Sequence, residues 1–297
     1  MNFDRAVRRK LFSHGMTVLS GLAIVVILVP LASVIYTAVV LGSSSLSYGF
    51  FTQPLPVPCT PHLGVSCPTG GVAPALEGTL ILIGLSSLFS VPLGVGAAIF
   101  SVEYGGERAG ARIIGLVADV LSGVPSIVAG VFVYILILYY DPAIVFSTLS
   151  GSLALALIMV PIVTRTSEEA LRTIPQSVRE AALALGISRW KTSVRIVLVG
   201  ALPGILTGIL LSIARSAGEA APLLLVLGNG CPHPFEGIYQ EGCALSLWIY
   251  LGATSPDQNW IALAWGAALL LVALVLGLSL VTRLVLNRMA RRWKGSE

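Results

Sequence analysis

The sequence predicts an all-α membrane protein with six transmembrane helices and both termini in the cytoplasm. Composition, the length of the apolar runs and the placement of positive charge all point to it. Of 297 residues, 56% are hydrophobic and only 11% charged, and the mean hydropathy is +0.91. Soluble domains are roughly a quarter charged, so this chain lacks the polar surface that water demands and suits membrane lipid instead. The hydrocarbon core is about 30 Å thick and a helix rises about 1.5 Å per residue, so a span takes roughly 20 apolar residues.

Six stretches meet that length: 17–41, 75–100, 113–139, 144–163, 201–227 and 260–286. The first follows a basic segment, as a cleaved signal peptide would, but its apolar run is too long and no small-residue cleavage site closes it. It reads as a membrane helix. The chain divides into a basic N-terminus (1–16), one helical membrane domain (17–286) and a tail (287–297).

Lys and Arg set the orientation. Arg5, Arg8, Arg9 and Lys10 precede the first span, and Arg108 and Arg112 follow the second. Arg165, Arg172, Arg179, Arg189, Lys191 and Arg195 follow the fourth, and Arg283, Arg288, Arg291, Arg292 and Lys294 close the chain. Loops 42–74, 140–143 and 228–259 contain neither residue type. This bias follows the positive-inside rule. It accounts for the formal net charge of +4 without a nucleic-acid partner. The one exception is Arg215, inside the fifth span.

All four cysteines fall in the outer loops: Cys59 and Cys67 in the first, Cys231 and Cys243 in the last. An oxidising exterior permits disulfides. Four cysteines allow three pairings, of which Cys59–Cys67 and Cys231–Cys243 need no contact between loops. The nearby His62 and His233 sit among prolines without metal-ligand spacing, so no metal site is expected.

The inner loop, about 164–200, is long and charged, and it is patterned as two short helices. Pro175 suits the first turn of one, Gly186 a left-handed cap at its end, and Ser188 the cap of the next. Val194, Val197 and Leu198 give the second helix an apolar stripe. A helical hairpin of this kind can serve as a docking surface; a solvated linker would need neither caps nor stripe.

The fifth span carries Gly200, Gly204, Gly208, Ser212 and Ser216 at intervals of four, a small-residue ladder that lets another helix approach closely. Beside it, Arg215 and Glu219 are placed to share a face. A buried intramembrane Arg costs several kcal/mol, on the order of 3 or more, so it must face protein or water. Two readings stay open: an ion pair that locks the bundle, or an arginine that meets an anionic solute. Arg165 and Glu168, at the inner end of the fourth span, share a face in the same way and divide between snorkelling to the interface and function. Asp119 poses the same choice.

No phosphate-cradling ATP loop is present, since Trp190 precedes Lys191-Thr192 where glycine is needed. No Gly-x-Ser-x-Gly elbow occurs, and His14, His62 and His233 all lie outside the spans. The two halves show no repeat of the kind ion-coupled carriers use.

Glu180-Ala181-Ala182 followed after three residues by Gly186 resembles the EAA loop of permease subunits in binding-protein-dependent ABC importers. The motif normally continues to Ile-x-Leu-Pro; this chain has Ile196-Val197-Leu198-Val199 and lacks the proline. Leu121-Ser122-Gly123-Val124-Pro125-Ser126-Ile127 is similar to the third-helix motif of the phosphate permeases. Ala214-Arg215-Ser216-Ala217-Gly218-Glu219-Ala220-Ala221-Pro222-Leu223-Leu224 resembles the fifth helix of their PstA type, and Leu247-Trp248-Ile249-Tyr250 a segment before their last helix. The likeness runs from about Leu76 to Leu286.

This resemblance implies a type I ABC importer permease architecture in a prokaryotic cell membrane. It implies a sister permease (PstC type), two copies of an ATPase (PstB type) and an extracytoplasmic phosphate-binding protein (PstS type). ATP and Mg would be bound by the ATPases, leaving this chain no cofactor and no covalent chemistry. Glu180, Ala181, Ala182 and Gly186 would couple to the ATPase, with Ala182 packed in the contact. Arg215, Glu219, Arg165 and Glu168 would line the path. Permeases for molybdate, sulfate or a polyamine are the near alternatives, and a channel or ion-coupled carrier the distant one.

Overall fold

Hydrocarbon offers the backbone no water to bond with, so a lipid-exposed span is helical or part of a closed barrel. The computed structural model describes residues 3–56, 70–105, 109–228 and 234–294, and all regular structure among them is helical. The helices are α1 (Phe3–Gly42), α2 (Tyr48–Thr52), α3 (Ala73–Ile99), α4 (Ala109–Gly123), α5 (Ser126–Tyr140), α6 (Thr148–Arg172), α7 (Gln176–Ala184), α8 (Arg189–Thr192), α9 (Leu198–Ala217), α10 (Ala221–Val226), α11 (Leu245–Ala253) and α12 (Gln258–Lys294). Among the described residues five helical runs are long and apolar enough to cross a membrane, and α4 with α5 makes a sixth if the bent pair counts as one span.

The core is built around α6, which is the most buried of these runs. Small residues let its neighbours close in on two sides. On α3, buried Ser86, Ser90, Gly94 and Ala98 recur every four residues. A Cβ on Gly94 would stand 2.8 Å from the Val163 side chain. On α9 the predicted ladder does what its spacing suggests: Gly200 faces Ile174, Gly204 faces Ala170 and Gly208 faces Thr166, all on or just beyond α6. At the N-terminus of α6 the orphan backbone donors find carbonyls in the last long loop: Thr148 N–H donates to Gln240 (2.9 Å) and Leu149 N–H to Ile238 (2.8 Å).

Three expected spans are corrected. The third is not one helix: α4 and α5 meet at 107° across Val124-Pro125. Pro125 is extended (φ −56°, ψ 135°), supplies no amide hydrogen and disfavours helix in the residue before it. The fourth is displaced toward the C-terminal side of its apolar run, since α6 begins at Thr148, continues to Arg172 and absorbs the first residues of the supposed loop. The fifth ends at Ala217, and after Gly218–Ala220 the short α10 restarts with Pro222 in its first turn. The two broken spans pack on each other where Gly130 of α5 admits the backbone of Pro222.

The apolar window of α1 is left uncovered by the rest of the chain. Among the described residues its far end is tied down: Gly42 abuts the Trp265 backbone, and just beyond, Ser45 Oγ donates to the Ala262 carbonyl (2.9 Å). On the same side, α11 is held by Leu245 N–H donating to Thr79 Oγ1 (2.8 Å) and by Ser246 Oγ donating to the Glu219 carbonyl (2.9 Å).

Candidate functional site

The break between α4 and α5 opens a cavity of about 230 Å³ lined in part by Ser122, Pro125, Ser126, Leu157, Ile162 and Arg215. Arg215 lies in the last turn of α9, and Glu219 falls in the break that follows, not on the same helix as the spacing suggested. The two still approach, with Arg215 Nε 3.8 Å from Glu219 Oε1. That is outside hydrogen-bond range. The Arg215 side chain is 63% exposed within this chain, and its guanidinium, which lines the cavity, has no hydrogen-bond partner among the described residues. Glu219 is fixed through its backbone by Ser246. The amino end of α5 adds a favourable partial charge for an anion beside this arginine.

Arg165 and Glu168 stand apart from this cavity. Arg165 does not snorkel away. It donates to Asp119 Oδ1 (Nε, 3.0 Å), Glu168 Oε2 (Nη1, 2.7 Å) and the Gly115 carbonyl (Nη2, 2.7 Å), cross-tying α4 to α6. Glu168 is buried, and its second oxygen has no hydrogen-bond partner among the described residues.

In the hairpin of α7 and α8, α7 closes as its residues predict. Gly186 takes φ +77°. Ile187 N–H donates to the Ala182 carbonyl (3.1 Å) and Gly186 N–H to that of Leu183 (2.9 Å), which is the Schellman pattern. Pro175 occupies the capping position just before α7, not its first turn, and Ser188 precedes α8 without a side-chain capping bond. The missing Ile-x-Leu-Pro proline has a visible counterpart: α8, a π-helical segment at Ser193–Val197 and α9 form one helical run.

The predicted stripe turns inward. Val197 is buried with Ala98, Ala170 and Leu171, and Leu198 packs against them. Ala182 is buried within this chain too, whereas Glu180 and Ala181 are exposed. The apolar groups the hairpin presents outward are instead Val178, Leu183, Leu185 and Trp190.

The sequence reading passed over Glu103. It lies in a π-helical segment, Phe100–Gly105, directly after α3 and pairs with Arg179 (Nη2 to Oε1, 2.7 Å). Its signal was an acid closing an apolar run with no basic residue three or four positions away.

Of the cysteines, Cys243 is disulfide-bonded. Cys59, Cys67 and Cys231 lie outside the described residues, and so the expected pairings do as well.

The described residues thus form a helical bundle with a polar break beside an arginine and a capped helical hairpin at one end. The chain belongs to the family described as binding-protein-dependent transport system inner membrane component, which residues 90–295 match. Among similar proteins is phosphate transport system permease protein PstA 1 of Mycobacterium tuberculosis (strain CDC 1551 / Oshkosh), 37% identical over 282 residues, covering 94% of this chain and 90% of that one. Another is PstA of Haemophilus influenzae, 37% identical over 277 residues, covering 93% and 94%. Solved structures share the fold. A bacterial ABC transporter involved in importing the acidic polysaccharide alginate aligns with TM-score 0.64 at 14% identity, covering 97% of this chain and 99% of that one. The inward-facing MetNI methionine ABC transporter aligns with TM-score 0.58 at 18% identity, covering 72% and 95%. The fold is that of type I ABC importer permeases.

Proposed function

We propose that the chain is the membrane permease subunit of an ATP-driven phosphate importer. The observation that carries this is the likeness to phosphate permeases over 94% of its length. In this reading the positive charge bias puts both termini in the cytoplasm of a prokaryotic cell. A sister permease (PstC type) completes the pathway, two ATPase subunits (PstB type) dock on the exposed residues of α7 and α8, and a phosphate-binding protein (PstS type) delivers substrate from outside. ATP and Mg belong to the ATPases. Oxidation of the extracytoplasmic cysteines, as Cys59–Cys67 and Cys231–Cys243, braces the outer loops.

Arg215 supplies the chemistry this role needs. Phosphate carries roughly one to two negative charges near neutral pH and gives up a tight hydration shell on entering the membrane. A planar guanidinium replaces lost water with forked, charge-assisted hydrogen bonds. Glu219, close but not hydrogen-bonded, orients the arginine without using its donors. Arg165 and Glu168 form the inner polar step of the path. The site binds in passing, and alternation between outward and inward access comes from ATP binding and hydrolysis in the partners.

Substitutions at Arg215 test this. Arg215→Lys keeps the charge and loses the fork; Arg215→Met removes both. Both should lower phosphate uptake in complexes that still assemble and hydrolyse ATP. Recovery of assembly and uptake in the double variant Arg215→Met/Glu219→Gln would mean that the pair is an internal ion bridge and no binding site.

A further inference from the structure

The inner hairpin is held by little packing. Among the residues of α7 only Ala182 is buried, and among those of α8 only Thr192. What fixes it is a set of polar bonds converging on Glu103. This residue sits on the π-helical segment that continues α3, and its side chain is only 6% exposed. A carboxylate so placed must be answered by charge or strong donors.

The answers come from both hairpin helices. From α7, Arg179 donates to Glu103 Oε1 through Nε (2.9 Å) and Nη2 (2.7 Å). The same guanidinium reaches the carbonyls of Ile174 (2.5 Å) and Leu171 (3.0 Å), at the end of α6. From α8, Arg189 donates to the Glu103 backbone carbonyl and stacks over Tyr104 at 5.3 Å. Ser193 Oγ shares its one proton between Glu103 Oε2 (3.3 Å) and the Arg189 carbonyl (3.0 Å), and Ser193 opens the second π-helical segment, which runs directly into α9. Two π-helical segments, from helices distant in sequence, are thus joined through one carboxylate. Such segments often mark functional positions in helices.

We infer that Glu103 is a positioning residue that makes α7, α8 and the inner ends of α3 and α9 one mechanical unit. Movement imposed on α7 then reaches α3 and the continuous α8–α9 run, with Arg215 at its far end, instead of being absorbed in the turn at Gly186. This rests on the reading of the chain as an ATP-driven permease.

The test uses the reconstituted complex of permeases, ATPase and binding protein. It compares hydrolysis with and without phosphate-loaded binding protein, together with phosphate uptake and ATPase retention. Glu103→Gln should retain the ATPase and hydrolyse ATP at the unstimulated rate. Its stimulation by loaded binding protein should fall about five-fold or more, and uptake with it. Ser193→Ala removes one neutral donor and leaves no charge unpaired; stimulation should fall about two-fold. Full stimulation in Glu103→Gln overturns the inference, as does a parallel loss of retention, unstimulated and stimulated hydrolysis in both variants. If Glu103→Gln does not assemble, undiminished stimulation in Ser193→Ala overturns it. Absence of stimulation in the wild type would instead bring down the underlying reading, and the inference with it.

Discussion

Replacing Arg165 with methionine probes how charge is held between α4 and α6. Length is roughly kept and three contacts are lost: to Asp119, to Glu168 and to the Gly115 carbonyl. They are not equal. Asp119 is 68% exposed, so its leg is a surface ion pair worth under about 1 kcal/mol. Glu168 is 4% exposed, and its Oε1 has no hydrogen-bond partner among the described residues. Its charge leans on Arg165. Stripping one partner from a buried pair costs about 3–5 kcal/mol; with Arg165 itself 32% exposed, about 2–4 kcal/mol is expected here. Asp119→Asn should cost under about 1 kcal/mol. Arg165→Met/Glu168→Gln should regain most of the loss, because no buried charge is left. Chemical denaturation of the assembled complex in detergent reads all three. Equal losses for Asp119→Asn and Arg165→Met, or no recovery in the double variant, would refute the reasoning. The double variant should regain stability and still fail in uptake, because the pair forms the inner polar step of the path; normal uptake would remove it from the path.

Other outcomes follow from the packing. Gly208→Leu should split α9 from α6, because a Cβ there runs into Thr166; assembled permease should be lost. Gly96→Ala, with nothing within 4 Å of the added carbon, should be silent, and equal yields of the two variants would contradict the ladder. Ala181→Glu on the exposed side of α7 should release the ATPase from a stable permease. Ala182→Glu, buried in this chain, should destabilise the hairpin itself, and co-purification with a stability measurement separates the two. Non-reducing digestion and mass spectrometry should find Cys59 joined to Cys67 and Cys231 to Cys243; four free thiols or cross-loop pairs would exclude this.

The spans and the hairpin were legible because their signals are local. Apolar length marks a span, and Gly186 marks a cap because few other residues take φ +77° without strain. The kink at Val124-Pro125 was not legible. Proline is no reliable mark of a break in a membrane helix, and here Pro30, Pro92, Pro161 and Pro203 all lie inside continuous helices. Hydropathy counts apolar residues and is blind to bends, which is why α4 and α5 read as one span and α9 with α10 as another. Arg215 stood out as the sole basic residue outside the stretches that the positive-inside rule assigns to the cytoplasm. Its cavity did not, because the lining comes from α4, α5 and α6 as well as α9. Glu103 was missed for the same reason: its partners lie 76 to 90 residues away, and only folding brings them together.

Most direct of all is uptake by the reconstituted complex, with labelled phosphate in competition against sulfate and molybdate. The chain's likeness to phosphate permeases, with Arg215 at the cavity, predicts ATP-dependent phosphate entry that unlabelled phosphate suppresses and equal sulfate or molybdate leaves nearly intact. Phosphate entry that needs no ATP, or stronger suppression by sulfate or molybdate than by phosphate, would contradict it.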